Sequence, residues 1–281
     1  MKKVDLHMHS TASDGSDPIP MLRDKIIEAG LSAFAVTDHD TIDGAMQMKT
    51  MVPAGVRFYP GIEFSCESPV KKCHILGYCC DERDPAFQEA LELGRTLRQD
   101  KLERRLTFLK ERFGIVLTGG EMDWLLSHQS PGKPHLGRIL LNRGMASTLT
   151  EAIETYVSPC KGGKDRIPAD VAISAILHAG GVPVWAHPLG GEGERRLTGE
   201  EVTAQLKTLA GYGIRGLECF YSRYTAEESA GLRQLAEEYH LLVSGGSDYH
   251  GKNKVNITLG KLNDQNAPID PENLTILTAL G

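Results

Sequence analysis

Two histidines separated by one residue, His7 and His9 in the opening segment DLHMHS, are the first residues whose types and spacing suggest chemistry. Val4, Leu6 and Met8 alternate with them, which predicts a strand from Val4 to His9. On a strand, residues i and i+2 share a face, so both imidazoles can reach one cation while the apolar side chains turn toward covering helices. Such a pair alone is more often structural than metal-binding, and the weight falls on the rest of the chain.

The chain offers a nitrogen or oxygen ligand again where each later strand ends. Asp14 lies in the loop after the first strand, TDHDT supplies His39, PGIEFS supplies Glu63, and CHILGY supplies His74. VWAHP ends on His187, and SGGSDYHG carries Asp248 and His250. Singly, each has a plainer explanation: Asp14 and Asp248 sit in turn-forming sequence, and His39 could be a core histidine. That explanation does not cover the distribution, because six of the ten histidines fall at strand ends and only His128, His135, His178 and His240 fall elsewhere.

The elements that must position these residues follow from the alternation of short apolar runs with helical patterns, the rhythm of a parallel β/α architecture. Strands are predicted at Val4–His9, Ala33–Thr37, Arg57–Glu63, Cys73–Tyr78, Val182–His187, Gly216–Tyr221 and Leu241–Gly245, and helices at Pro18–Ala29, Pro168–Ala179, Glu200–Tyr212 and Ala226–Tyr239. In a parallel barrel the strand ends converge on one mouth, where nine candidate ligands would meet. The rhythm breaks after the fourth strand. Residues 85–164 are expected to form a helical insertion capping the site, leaving 1–84 and 165–281 as the barrel. The first helix of the insertion, Pro85 to Phe113, carries Arg95, Arg98, Lys101, Arg104, Arg105, Lys110 and Arg112 interleaved with acids, which suggests a solvated face.

Composition bounds the alternatives. A chain of 281 residues, 41% hydrophobic and 24% charged, is ordinary globular material. A net charge of -6 argues against duplex DNA as a partner, and no apolar run is long enough for a membrane span. Six cysteines at uneven spacings without a CxxC pair, and no signal-peptide pattern, point to a reducing, cytoplasmic setting.

Six motifs in order, DLHMHS, TDHD, PGIEFS, HILGY, AHP and SDYHG, resemble the polymerase and histidinol phosphatase (PHP) superfamily, and the element GKPHLGR within the insertion resembles its stand-alone TrpH-type phosphoesterases. The resemblance implies an α/β fold, a distorted seven-stranded β/α barrel, and a site for two to three divalent metal ions. It implies that His7, His9, Glu63 and Asp248 hold one ion, that Glu63, His74 and His187 hold a second with Glu63 bridging, and that Asp14, His39 and His250 hold a third. Glu63, Asp248 and His187 are the expected catalytic residues. An all-nitrogen and oxygen set suits Mn, Fe, Zn or Mg rather than thiolate-selected metals.

Such a cluster fits phosphate-ester hydrolysis, because neighbouring cations activate water and offset charge on the phosphoryl oxygens without any nucleophilic side chain. The chain has no GxSxG, no GxxxxGK[ST] and no Rossmann glycine pattern. The resemblance implies a small phosphorylated substrate: a 3′,5′-bisphosphonucleotide or the 5′ end of a short RNA. His135 and Arg138, three apart at the start of a predicted helix, are candidate phosphate contacts, with Lys161, Lys164, Arg166 and Arg223 weaker ones. Three alternatives stay open: a histidinol-phosphate-type phosphatase, an amidohydrolase, for which a lysine at a strand end is missing, and a non-catalytic metal-binding regulatory module.

Overall fold

In a computed structural model, which describes residues 2–128, 130–191 and 195–281, the chain alternates strands and helices from its first residues. β1 (Lys3–Asp5), α1 (Ile19–Ala29), β2 (Leu31–Val36), α2 (Asp43–Lys49) and β3 (Arg57–Glu67) lead into β4 (Lys72–Tyr78). Four helices follow: α3 (Pro85–Phe113), α4 (Gly119–Leu126), α5 (Lys133–Asn142) and the short α6 (Leu149–Ala152). The rhythm then resumes with β5 (Ile167–Pro168), α7 (Ala169–His178), β6 (Val182–Trp185), α8 (Gly199–Tyr212), β7 (Gly216–Tyr221), α9 (Ala226–Glu238) and β8 (Leu242–Gly246).

The strands form a nearly closed seven-stranded barrel in the order β1-β2-β3-β4-β6-β7-β8, with the two-residue β5 paired to β3. Backbone bonds join its ends: Leu6 N–H donates to Gly245 O at 3.2 Å, Asp248 N–H to His7 O at 2.8 Å, and His9 N–H to Tyr249 O at 2.8 Å. The barrel is mixed rather than parallel, because β4 pairs antiparallel with both β3 and β6. Only residues 68–71 separate β3 from β4, and Ser68 closes this turn onto Lys71. A connection that short makes a hairpin, whereas a parallel crossover needs a dozen residues or more. His74 therefore reaches the barrel mouth from the start of its strand, opposite Ser65 in register.

The helices begin and end where local chemistry dictates. Thr198 with Glu201 and Thr225 with Glu228 form capping boxes on α8 and α9. The Asp84 side chain caps α3 by accepting from Phe87 N–H, and Gly114 ends it in a left-handed conformation at φ 68°. α2 was not foreseen from the sequence, being only seven residues long. One hydrophobic core joins β3, β4, β6 and β7 to α7, α8 and α9, and a second joins Met8, Phe34 and Val36 to α1 and α2. The helices between β4 and β5 have a core of their own, with Leu102, Leu109, Leu125, Leu136 and Leu140 buried together. No helix among the described residues is long and apolar enough to cross a membrane.

Candidate metal centre

At the mouth of the barrel the structure brings all nine of the strand-end residues together. Regular pairing of β1 stops at Asp5, but the chain stays extended through a bridge from Met8 to Tyr249. His7 and His9 consequently share one face and are fully buried. β8 must pass hard against them, since a Cβ on Gly246 would stand 2.2 Å from His7 Cβ. Only glycine fits that crossing.

Glu63 lies at the centre, and its two oxygens face different neighbours. Oε2 lies 3.3 Å from His7 Nε2, 3.2 Å from His9 Nε2 and 3.1 Å from His39 Nδ1. Oε1 lies 3.1 Å from both His74 Nδ1 and His187 Nε2. Asp248 Oδ1 completes the first side, 3.6 Å from His7 Nε2 and 3.3 Å from His9 Nε2. Beyond His9, Asp14 Oδ1 sits 3.2 Å from His250 Nε2, and Asp14 Oδ2 sits 3.9 Å from His39 Nε2.

Three overlapping groups could each hold a cation: His7, His9 and Glu63; His39, Glu63 and His74; and His9, Asp14, His39 and His250. His9 and His39 thus stand between groups that the motifs alone would separate.

The chemistry of the donors fits a cation. His7 Nε2, His9 Nε2, His39 Nδ1, Asp14 Oδ1 and Glu63 Oε2 are buried and have no aligned hydrogen-bond partner. Five such atoms gathered in one buried cluster would be costly unless a ligand accepted their lone pairs. Electrostatics agrees. Burial opposes charge on Glu63, yet His39, His7 and His74 hold its carboxyl well below the usual range. Burial likewise opposes charge on Asp248 and Asp14, and Lys254 and His250 on the first, His39 and His250 on the second, hold both low. Burial pushes His39, His74 and His250 down, which favours the neutral imidazole that binds metal. His7 and His9 go the other way: carboxylates outweigh burial and raise both, His9 to about 9, so a cation would compete with protons there.

Behind these residues lies a layer of supports, most of which the motifs did not reveal. Glu218, fully buried on β7, receives His187 N–H at Oε2 (2.7 Å) and meets His7 Nδ1 at Oε1 (2.9 Å). A carboxylate on Nδ1 fixes the tautomer that leaves Nε2 facing Glu63. Asp38 accepts from Ser10 N–H at 2.7 Å, Ser10 Oγ at 2.7 Å and Ser13 Oγ at 2.6 Å, shaping the loop that carries Asp14. Asp5 ties Ser247 and Gly260 to β1. Asp248 Oδ2 accepts from Tyr221 Oη at 2.9 Å and from Lys254, which keeps Oδ1 turned to the cluster. His187 and Asp248 also hold left-handed backbones, at φ 30° and 58°. For non-glycine residues this is strain of the kind that gathers at functional sites.

The other predicted residues lie around this centre. His135 is buried at the start of α5, where its Nδ1 accepts from Gly132 N–H at 2.9 Å and its ring packs 4.2 Å from that of His128. Burial lowers it to about 4. Arg138 donates to Asn253 Oδ1 at 3.0 Å, and Asn253 in turn donates to the Asp14 carbonyl at 2.8 Å. The two side chains therefore engage different partners. Lys161 and Lys164 are exposed, Arg223 is half-buried after β7, and Arg166 donates to the Cys73 carbonyl at 3.3 Å beside His74.

The expected solvated face of α3 holds for Arg95, Lys110 and Arg112, which are exposed, and fails for the other face of the helix. Arg98, Lys101 and Arg105 do not form a solvated face: Arg105 is 6% exposed. Arg98 donates to Asp40 Oδ2 from Nε (2.9 Å) and to Ser65 Oγ from Nη2 (3.0 Å). Their spacing of three and four residues puts them on the helix face that meets the barrel.

The family model described as PHP domain matches residues 5–157. A phosphoribosyl 1,2-cyclic phosphate 1,2-diphosphodiesterase of Eggerthella lenta is 31% identical, over 88% of this chain and 94% of its own. A 5′-3′ exoribonuclease of Haemophilus influenzae is 29% identical, over 89% and 90%. A 3′,5′-nucleoside bisphosphate phosphatase of Chromobacterium violaceum is 26% identical, over 94% and 93%. Among solved structures, a protein of Bifidobacterium adolescentis assigned as a metal-dependent phosphoesterase superposes with a TM-score of 0.78 at 25% identity, covering 96% of this chain and 97% of that one.

Proposed function

The chain belongs to the PHP domain family and is a metal-dependent phosphoesterase, and from that premise we propose that it cleaves phosphate esters of small nucleotides bearing two phosphates, or the 5′ end of short RNA. The observation that carries the metal-dependent reading is that Glu63 Oε2 and four atoms of His7, His9, His39 and Asp14 are buried without an aligned hydrogen-bond partner. In this reading His7, His9, Asp248 and Glu63 Oε2 hold one cation, and Glu63 Oε1, His74 and His187 a second. Asp14, His39 and His250 hold a third, with His9 alongside. Mn, Fe, Zn or Mg suits these donors.

When bound, such ions supply Lewis acidity that activates water and offsets charge growing on phosphoryl oxygens. The chain's own residues do the positioning. Glu218 orients His7 and fixes the His187 backbone, while Tyr221 and Lys254 neutralise the outer oxygen of Asp248. Ser10 and Ser13 both donate their hydroxyl protons to Asp38, so Ser13 Oγ can only accept at His9 Nδ1, 3.4 Å away, and in this reading the nucleophile is water rather than a serine.

A ribosyl substrate bearing more than one phosphate is supported by the names of the relatives, which act on a phosphoribosyl cyclic phosphate and a nucleoside bisphosphate. The test is phosphate release by manganese-loaded protein from adenosine 3′,5′-bisphosphate, adenosine monophosphates, histidinol phosphate and 5′-phosphorylated short RNA. Preference for the bisphosphate or the RNA end supports the proposal; release from none of them defeats it.

A further inference from the structure

Beside the metal centre, α3 turns a stripe of cations inward. Gly94 on this face lets the helix come close to the barrel, since a Cβ there would stand 3.4 Å from Asp40 Cβ, and Arg98, Lys101 and Arg105 follow along it. Lys133, at the first turn of α5, and Arg166, just before β5, approach from the other sides. Arg98 Nη1 lies 3.7 Å from the position of a Cβ on Gly132, the residue preceding Lys133. Lys101 reaches Asp165 at 2.8 Å, and Asp165 also takes Lys72 at 3.1 Å.

Five cations thus cluster here against three carboxylates, Asp40, Asp165 and Glu154. Asp40 is taken up by Arg98, and Asp165 by Lys101 and Lys72. Lys133 donates to Ser158 Oγ at 2.9 Å, and Ser158 passes the contact on to Glu154 at 3.2 Å. Arg105, although 6% exposed, has no hydrogen-bond acceptor or ion-pair partner among the described residues, and the buried Nε of Arg166 also lacks one. The groups act on one another: burial, then repulsion from Arg166 and Arg105, brings Lys101 down to about 7. Burial and repulsion from Arg98 bring Arg105 down to about 10. A buried guanidinium without a counter-charge is strongly unfavourable, and a planar fork of donors suits a phosphate. The cluster adjoins the metal centre, because Arg166 sits against Cys73, the residue before His74, and Arg98 against Ser65, two residues after Glu63.

We infer that Arg105, with Lys133, Arg166 and Lys101, forms a separate anion subsite that holds the second, uncleaved phosphate of the substrate while the first lies at the metal centre. The inference rests on the two-phosphate reading above and gives that phosphate a residue the motifs did not supply. Arg138 and His135 have hydrogen-bond partners, whereas the Arg105 side chain has none among the described residues.

The test compares wild type with Arg105→Met and Arg105→Lys in the full chain. For adenosine 3′,5′-bisphosphate, Arg105→Met should lower kcat/KM by roughly 10- to 100-fold, the loss of one charged contact, whereas p-nitrophenyl phosphate, which has no second phosphate, should change by less than about 3-fold. Arg105→Lys should recover part of the loss. Calorimetric binding of adenosine 3′,5′-bisphosphate to the same proteins in excess chelator should weaken in parallel. Without ligand, the Met variant should melt at or above the wild-type temperature, since an unpaired buried charge has been removed. Equal loss on both substrates, no loss on either, or unchanged binding in chelator would overturn the subsite. Should Arg105→Met fail to fold, Lys133→Met makes the same comparison. If wild type hydrolyses nothing, the phosphoesterase reading fails, while the binding measurements still decide the subsite.

Discussion

Glu218 meets His7 at Nδ1 from 2.9 Å while Glu63 faces the opposite ring nitrogen from 3.3 Å, so the imidazole is held between two buried carboxylates. The first sets the tautomer and the second shares whatever binds at Nε2. Glu218→Gln keeps the shape but loses the charge that makes Nε2 a strong donor. Metal affinity should fall roughly 10- to 100-fold with the fold retained. Titration of the apoprotein with Mn²⁺, followed by circular dichroism, checks both halves, and unchanged affinity would reduce Glu218 to packing.

Glu63→Gln should cost far more activity than stability, because one amide replaces a carboxylate whose two oxygens serve two neighbouring groups. The rate should fall by several orders of magnitude, as expected when cations can no longer activate water near neutral pH. Comparing kcat with the urea midpoint is sufficient. Near-normal turnover in a folded variant would remove Glu63 from its bridging role.

Protein purified without chelator should contain about two to three equivalents of divalent metal, at about three to four ligands per ion. Elemental analysis measures this directly. Prolonged chelation should abolish activity and added Mn²⁺ should restore it. Full activity at less than one equivalent would leave the overlapping groups of donors without their purpose.

Asp165 provides a pH test away from the metal donors. Burial alone would raise its carboxyl, but Lys101 and Lys72 hold it at about 2, below the ordinary 3.8. A carboxyl with a depressed folded-state pKa stabilises the fold fully above its unfolded value and loses that contribution as pH falls through the folded one. Asp165→Asn should therefore be less stable than wild type near neutrality, and the difference should close between about pH 4 and pH 2. Urea midpoints across this range measure it, and a constant gap would show that the carboxylate charge is not what matters.

What the sequence made legible was the part written in residue types at strand ends. His7, His9, Asp14, His39, Glu63, His74, His187, Asp248 and His250 come together in the structure, and Gly216–Tyr221 forms a strand over the bounds the pattern indicates. The direction of β4 was missed because His74 lies near the mouth whichever way its strand runs. The Ser-Pro pair in ESPVKK was the available signal for a hairpin. Glu218 left a trace too: a lone acid within the apolar run GLECFY must be buried with a partner. Arg105 was hidden by its neighbours, since acids and bases mixed along a long helix look solvated until one face is known to lie against the barrel. Asp38 gains its role only from Ser10 and Ser13, a distant segment of the chain, and Lys254, though only six residues from Asp248, lies past the last strand where no periodic pattern announces it.

The seam between β1 and β8 has a consequence for how the molecule comes to exist. Glu63 and His74 sit on adjoining arms of one hairpin, so their encounter closes a short loop early and at small entropic cost. His7 and Asp248 stand at opposite ends of the chain and meet only when the last strand docks. A nascent chain therefore presents six of its nine candidate ligands before the other three have been synthesised, and a cation captured there would wait for the barrel to shut. Ions bound across the seam would act as a latch, since whatever binds only the closed form stabilises closure by mass action. Folding and activation would then be the same event.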